Sequence, residues 1–301
     1  MRAAVANASS WIESFHGWLG VVGLGLRHLP RTVFLRVFTR LVPARTRRSL
    51  KDRGWLAPWD RLAAKGRVRI SFGLAEDIYL ATAHFDLAGA QSHAVLRGLH
   101  EPMVQEAMRR TLAEGSTFYD VGANIGFLSL VGARLVGPTG RVLSLEPEPE
   151  NVAAIRAHAA LNEIGTITVI AEAAAAETGP VDVIGVRDTL WTRLAEVGEH
   201  PMERERLTVP GVRLDDLVYE RGLVPPDVVK IDVEGGELEV LAGMSRLLRE
   251  RHPAIIAEMH GKNIACCELL RAAGYRIVNL DGPEPPERAG DNTHLLAQFE
   301  G

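Results

Sequence analysis

The chain has 301 residues, 47% of them hydrophobic and 24% charged, with a formal net charge of -4. This is the balance of a globular protein with room for one sizeable domain and an extension. It lacks the basic surplus of a nucleic-acid binder. The two cysteines, Cys266 and Cys267, are adjacent. Neighbouring thiols are poorly placed for a disulfide and too few for a zinc site, which points to a reducing compartment.

Residues 1–66 read as a helical, basic N-terminal extension. Trp11, Phe15, Trp18, Leu19, Val22 and Leu26 fit one apolar helix face, and Val33, Phe34, Val37, Phe38 and Leu41 fit another, with arginines between. The uncharged run Gly17 to Leu26 is about half of a membrane span. It does not follow the basic start of a secretory signal. A cap packed on the main domain is the favoured reading. Peripheral contact with an anionic membrane surface is the alternative, in an otherwise cytoplasmic protein.

The remainder, 67–301, forms the main domain. Arg67 to Leu87 suggests short strands, and Glu101 to Leu112 a helix with Met103, Val104, Ala107, Met108 and Leu112 on one side. Thr117 to Val121 then reads as a buried strand, followed by a glycine turn and a helix over 125–136. Further strands are expected at 141–145, 166–171, 227–231, 254–258, 275–280 and 294–299. Helices are expected at 149–161, 237–249 and 263–273. Residues 177–212 look irregular, with short strands near 181–185 and 207–212. This alternation predicts an α/β, doubly wound Rossmann-like sheet. It is mostly parallel, with one antiparallel strand near the C-terminus because no helix separates the last two strands.

The turn reads Asp120-Val121-Gly122-Ala123-Asn124-Ile125-Gly126. Gly122 and Gly126 allow close backbone approach, and Asn124 tolerates left-handed backbone. A dinucleotide loop would instead read G-x-G-x-x-G and receive a pyrophosphate. Asp120 leads the turn where a diphosphate would be repelled, and suits the ammonium and sulfonium of S-adenosylmethionine. Glu146 ends the next strand, about twenty positions beyond the turn, where an acid accepts ribose hydroxyls.

With these residues in view, the chain resembles the FkbM-type methyltransferases, a class I S-adenosylmethionine-dependent family. The resemblance runs over roughly 95–299. It rests on the block 117–126, on Leu145-Glu146-Pro147-Glu148-Pro149-Glu150-Asn151, and on Val212-Arg213-Leu214-Asp215-Asp216-Leu217. Its most distinctive part is Val229-Lys230-Ile231-Asp232-Val233-Glu234-Gly235 with the following Glu237 to Gly243. It implies methyl transfer, typically to a hydroxyl of a sugar, lipid or natural product. Asp120, Gly122, Asn124 and Gly126 would surround the methionine end of the cofactor. Glu146 would hold the ribose, and Glu172 and Ala173 would line the adenine.

Lys230, Asp232 and Glu234 alternate at a strand end, so they share one side if the strand continues. One reading is a structural ion pair. The other makes Asp232 and Glu234 face the transfer cleft and orient the acceptor hydroxyl, with His260 as the base and His294 a weaker candidate. Two carboxylates are a short ligand set, so no metal is expected. Residues 185–206, with Trp191, Arg193 and Pro201, are long enough for a lid over the acceptor. The resulting expectation is an O-methyltransferase acting on a small molecule, glycan, glycolipid or secondary metabolite. The alternatives are a catalytically silent cofactor-binding or membrane-surface scaffold and a nicotinamide-dependent oxidoreductase, the latter opposed by the glycine spacing and by Asp120. The absence of an Asn-Pro-Pro-Tyr-like run after 227–231 argues against methylation of nucleic-acid base amines.

Overall fold

The fold comes from a computed structural model, which describes residues 66–84, 92–185, 192–194 and 205–300. The expectations for residues 1–65 lie outside the described residues. So does most of the 185–206 lid. All elements considered below belong to the compact unit formed by residues 61–87 and 94–301.

Short strands β1 (Arg67–Arg69) and β2 (Tyr79–Ala81) pair antiparallel. Helix α1 (Pro102–Thr111) leads to β3 (Thr117–Val121), α2 (Phe127–Val136), β4 (Arg141–Leu145), α3 (Pro149–Leu161) and β5 (Ile167–Ile170). After a second, smaller sheet come α4 (Leu214–Tyr219), β10 (Val228–Ile231), α5 (Glu237–Ala242), α6 (Ser245–Glu250), β11 (Ala254–Met259), α7 (Asn263–Ala272), β12 (Tyr275–Asn279) and β13 (Thr293–Phe299). The smaller sheet is built from β6 (Ala173–Ala174), β7 (Gly179–Gly185), β8 (Thr192–Leu194) and β9 (Glu205–Val212), ordered β6-β9-β7-β8.

The main sheet has seven strands in the order β12-β13-β11-β10-β3-β4-β5. β11, β10, β3, β4 and β5 run parallel, and β13 lies antiparallel between β11 and β12. The expected antiparallel strand is therefore present. Alternation along each strand sends side chains to two apolar layers. Tyr119, Val121, Leu143, Leu145, Val229 and Ile231 pack with residues of α4, α5, α6 and α7. Phe118, Val142, Val228 and Ile256 pack with residues of α1, α2 and α3. Among the described residues no helix is long and apolar enough to cross a membrane.

Two expectations change. The helix expected over 237–249 is two helices, α5 and α6. The Asp215 carboxylate accepts the Arg246 and Leu247 amides at 2.9 Å each and so starts a new helix there. Gly243, at the break, fits against the Ala175 carbonyl, where a Cβ would come within 2.0 Å. The strands expected near 181–185 and 207–212 are present as β7 and β9, and they join a smaller sheet that was not expected, in which β7 pairs with both β8 and β9.

Candidate active site

The loop between β3 and α2 is set by its backbone. Gly122, Asn124 and Gly126 adopt φ of 75°, 53° and 82°, the left-handed region that glycine and asparagine reach most readily. The Gly122 and Ala123 amides donate to the Leu145 carbonyl at 3.0 Å. A Cβ at Gly122 would lie 1.7 Å from the Asp232 carbonyl oxygen. The loop thus passes directly against the end of β10.

Glu146, 4% exposed, follows β4. Its Oε2 accepts the Asn124 amide at 2.8 Å and its Oε1 the Glu148 amide at 2.9 Å. Burial raises its pKa to about 7, against the lowering effect of these bonds and of Asn151. A buried acid at the end of β4, beside a loop whose glycine brings backbone close, fits the ribose and methionine portions of S-adenosylmethionine.

Asp120 lies within β3, as the strand expected over 117–121 implies, in register with Lys230 of β10 and Ser144 of β4. The pleat turns all three toward α2. Asp120 is fully buried. Its Oδ2 accepts the Ser129 hydroxyl at 2.5 Å, and its Oδ1 is 3.6 Å from Lys230 Nζ. Asp120 is thus the partner of Lys230 beneath the loop. Lys230 Nζ also donates to the Gly122 carbonyl at 3.2 Å and to Asp232 Oδ2 at 3.3 Å. Burial opposes the Lys230 charge, but Asp232, Asp120 and Glu101 outweigh it and raise its pKa.

Glu172 is likewise engaged, in a two-pronged bond from Arg221 at 2.5 and 2.8 Å. Ala173 is buried in the smaller sheet with Val183 and Val209. The end of β5 does reach Glu146, whose amide donates to the Ile170 carbonyl at 3.1 Å.

Asp232, Glu234 and His260 converge. One ligand-type atom from each lies within 4.8 Å of the others. β10 ends at Ile231, so this convergence does not come from strand alternation. Glu234 has φ 54°, a turn that brings its carboxylate 3.5 Å from His260 Nε2. His260 Nδ1 is held by Glu237 Oε1 at 2.9 Å, and Nε2 lies 3.6 Å from Glu258 Oε1. Burial works against the imidazolium, but the bond to Glu237 and the nearby Glu258 carboxylate push its pKa to about 11. Burial and the neighbouring Asp232 raise Glu234 to about 7. His260, expected as the base, sits among the carboxylates of Glu234, Glu237 and Glu258.

His294 stands in register with Glu258. Its Nδ1 meets Asp281 at 2.9 Å, and its Nε2 lies 3.7 Å from Glu258. Burial opposes its charge, but Glu258 and Asp281 raise its pKa to about 9. Glu258 is lowered: burial would raise it, and the two imidazoles prevail. Glu237, Glu258 and Glu101 are the members that sequence reasoning missed. The i, i+2 spacing of Glu258 and His260 carried a signal for one of them. Glu237 and Glu101 arrive from helix starts and carried none.

Comparison with known proteins gives the same assignment. Residues 120–277 match the methyltransferase FkbM domain. The 31-O-demethyl-FK506 methyltransferase FkbM of Streptomyces tacrolimicus is 29% identical over 221 residues, 62% of this chain and 81% of that protein. The hexuronic acid methyltransferase AglP of Haloferax volcanii is 30% identical over 161 residues, 52% of this chain and 62% of that one. A crystal structure of methyltransferase FkbM from Methylobacillus flagellatus KT aligns at 20% identity with a TM-score of 0.41, covering 69% of this chain and 53% of the other. The chain belongs to the FkbM methyltransferase family and is an S-adenosylmethionine-dependent methyltransferase.

Proposed function

We propose that the enzyme methylates a hydroxyl oxygen of a small molecule, glycan, glycolipid or secondary metabolite. The observation that carries this reading is the contact between the Gly122 loop and Asp232, which puts a polar cluster directly beside the cofactor crevice. The relatives named for 31-O-demethyl-FK506 and for a hexuronic acid support an oxygen-bearing acceptor.

Gly122, Asn124 and Gly126 hold the methionine end of the cofactor through backbone, and Glu146 takes the ribose hydroxyls. Asp120 positions the loop from below, through Lys230. Ala173 is the small residue past the third parallel strand, beside the adenine. When bound, S-adenosylmethionine supplies a methyl group on a sulfonium that departs as a neutral thioether. Asp232 and Glu234 accept the hydrogen bond of the attacking hydroxyl and then its proton. His260, fixed by Glu237, keeps Glu234 and Glu258 in place. Alignment of the reacting atoms in a closed site can supply up to roughly 7–11 kcal/mol.

Two measurements test this reading: calorimetry with S-adenosylmethionine and with NAD, and transfer of labelled methyl to a panel of hydroxylated glycans and natural products. Binding of S-adenosylmethionine and not NAD is expected. Asp232→Asn should keep cofactor affinity and lower turnover on the accepted substrate by about a hundredfold or more. Undiminished turnover in Asp232→Asn, or labelling confined to nitrogen acceptors, would overturn it.

A further inference from the structure

The cluster beside the crevice holds more negative charge than its fixed cation offsets. Asp232, Glu234, Glu237, Glu258 and Glu101 gather around Lys230 and three imidazoles, those of His100, His260 and His294. Imidazole contributes positive charge only by holding a proton.

The histidine geometry is directional. His260 gives Nδ1 to Glu237, a fully buried carboxylate whose Oε1 also takes the Gly235 amide at 2.8 Å. Glu237 Oε2 is buried beside it with no hydrogen-bond partner among the described residues. An imidazole clamped this way by an outer carboxylate presents its other nitrogen inward, as metal-binding histidines do. Nε2 then faces Glu234 at 3.5 Å and Glu258 at 3.6 Å, too far for a good hydrogen bond. Two ligand atoms each about 2.1 Å from one ion and 3.5 Å apart subtend roughly 110° at it. Asp232 completes the set, and its Oδ1 is a buried oxygen without a hydrogen-bond partner among the described residues.

We propose that Asp232, Glu234 and His260 form a binding site for a divalent first-row cation of the Mn2+ or Zn2+ class. One imidazole and two carboxylates suit these ions, and three protein ligands leave coordination positions open. Its use in catalysis, seating the acceptor oxygen beside the cofactor, rests on the function proposed above. The site itself rests on the side-chain geometry.

The test uses the full chain, stripped of metal with a chelator and then titrated with MnCl2. Loss of the free-ion electron paramagnetic resonance signal measures binding. Saturation at one ion per chain is expected. Glu234→Gln and His260→Gln should weaken binding at least tenfold, and Glu237→Gln by about 10- to 100-fold. Affinity for S-adenosylmethionine, measured on the same preparations, reports that each variant is folded. A wild type that binds S-adenosylmethionine but leaves the Mn2+ signal unchanged overturns the cation site alone. Variants that bind Mn2+ like the wild type also overturn it. Failure to bind S-adenosylmethionine would instead count against the proposed function.

Discussion

Lys230 and Asp120 face each other across β10 and β3 with Nζ and Oδ1 3.6 Å apart, and both are sealed from solvent. Removing the lysine leaves Asp120 and Asp232 as uncompensated charges in a closed layer. Lys230→Met is expected to destabilise by about 3–5 kcal/mol, the usual cost of stranding one half of a buried pair. Urea denaturation of the cofactor-free protein measures it. A midpoint equal to that of the wild type would show that the carboxylates find other partners.

Gly122→Ala should close the crevice. The added methyl would meet the Asp232 carbonyl at 1.7 Å, in a backbone region already costly for alanine. The loop must move away from β10 to make room. Calorimetry should show loss of S-adenosylmethionine binding with the secondary structure retained in far-ultraviolet circular dichroism. Wild-type affinity in the variant would mean that the loop does not line the cofactor.

Glu146 should make cofactor binding depend on pH near neutrality. Burial raises its pKa to about 7 in the free protein, whereas the unfolded value is near 4.5. The folded state therefore holds this proton more tightly than the unfolded state. The stability that this contributes is fully present below the unfolded value and is lost as pH rises through about 7. Ribose hydroxyls donating to the ionised carboxylate pull the other way, so binding releases a proton. Affinity should fall by up to about tenfold per pH unit below 7, and the slope should vanish in Glu146→Gln. Calorimetry at pH 6 and 8 decides; a flat profile in the wild type would remove Glu146 from the ribose.

Asp215→Ala should loosen α6. The Arg246 and Leu247 amides would lose the two oxygens that cap them. A loss of about 2 kcal/mol is expected from capping and burial together. Thermal unfolding would report it, and an unchanged midpoint would show that water replaces the cap.

The parallel strands were legible because β3 and β4 are short apolar runs bounded by glycine turns or charge, and their helices repeat at i, i+3 and i+4. The left-handed Asn124 and the acid after β4 could be read for the same reason: both are local. The break between α5 and α6 was not, because Asp215 makes it from about thirty residues away. The strands near 181–185 and 207–212 were read, but not their pairing as a separate sheet, since β9 meets β7 and β6 only in the fold. The burial of Asp120 follows from the buried strand expected over 117–121. The grouping of Glu237 and Glu258 around His260 needed the fold, since helix α5 and strand β11 meet only there.

β13 has a consequence for biosynthesis. Although it follows every other strand in the chain, it sits inside the sheet, bonded to β11 on one side and β12 on the other. Until residues 293–299 have left the ribosome, both neighbours present bare edges to solvent. A nascent chain stalled shortly before that point would be more prone to aggregate than either a shorter fragment or the finished protein.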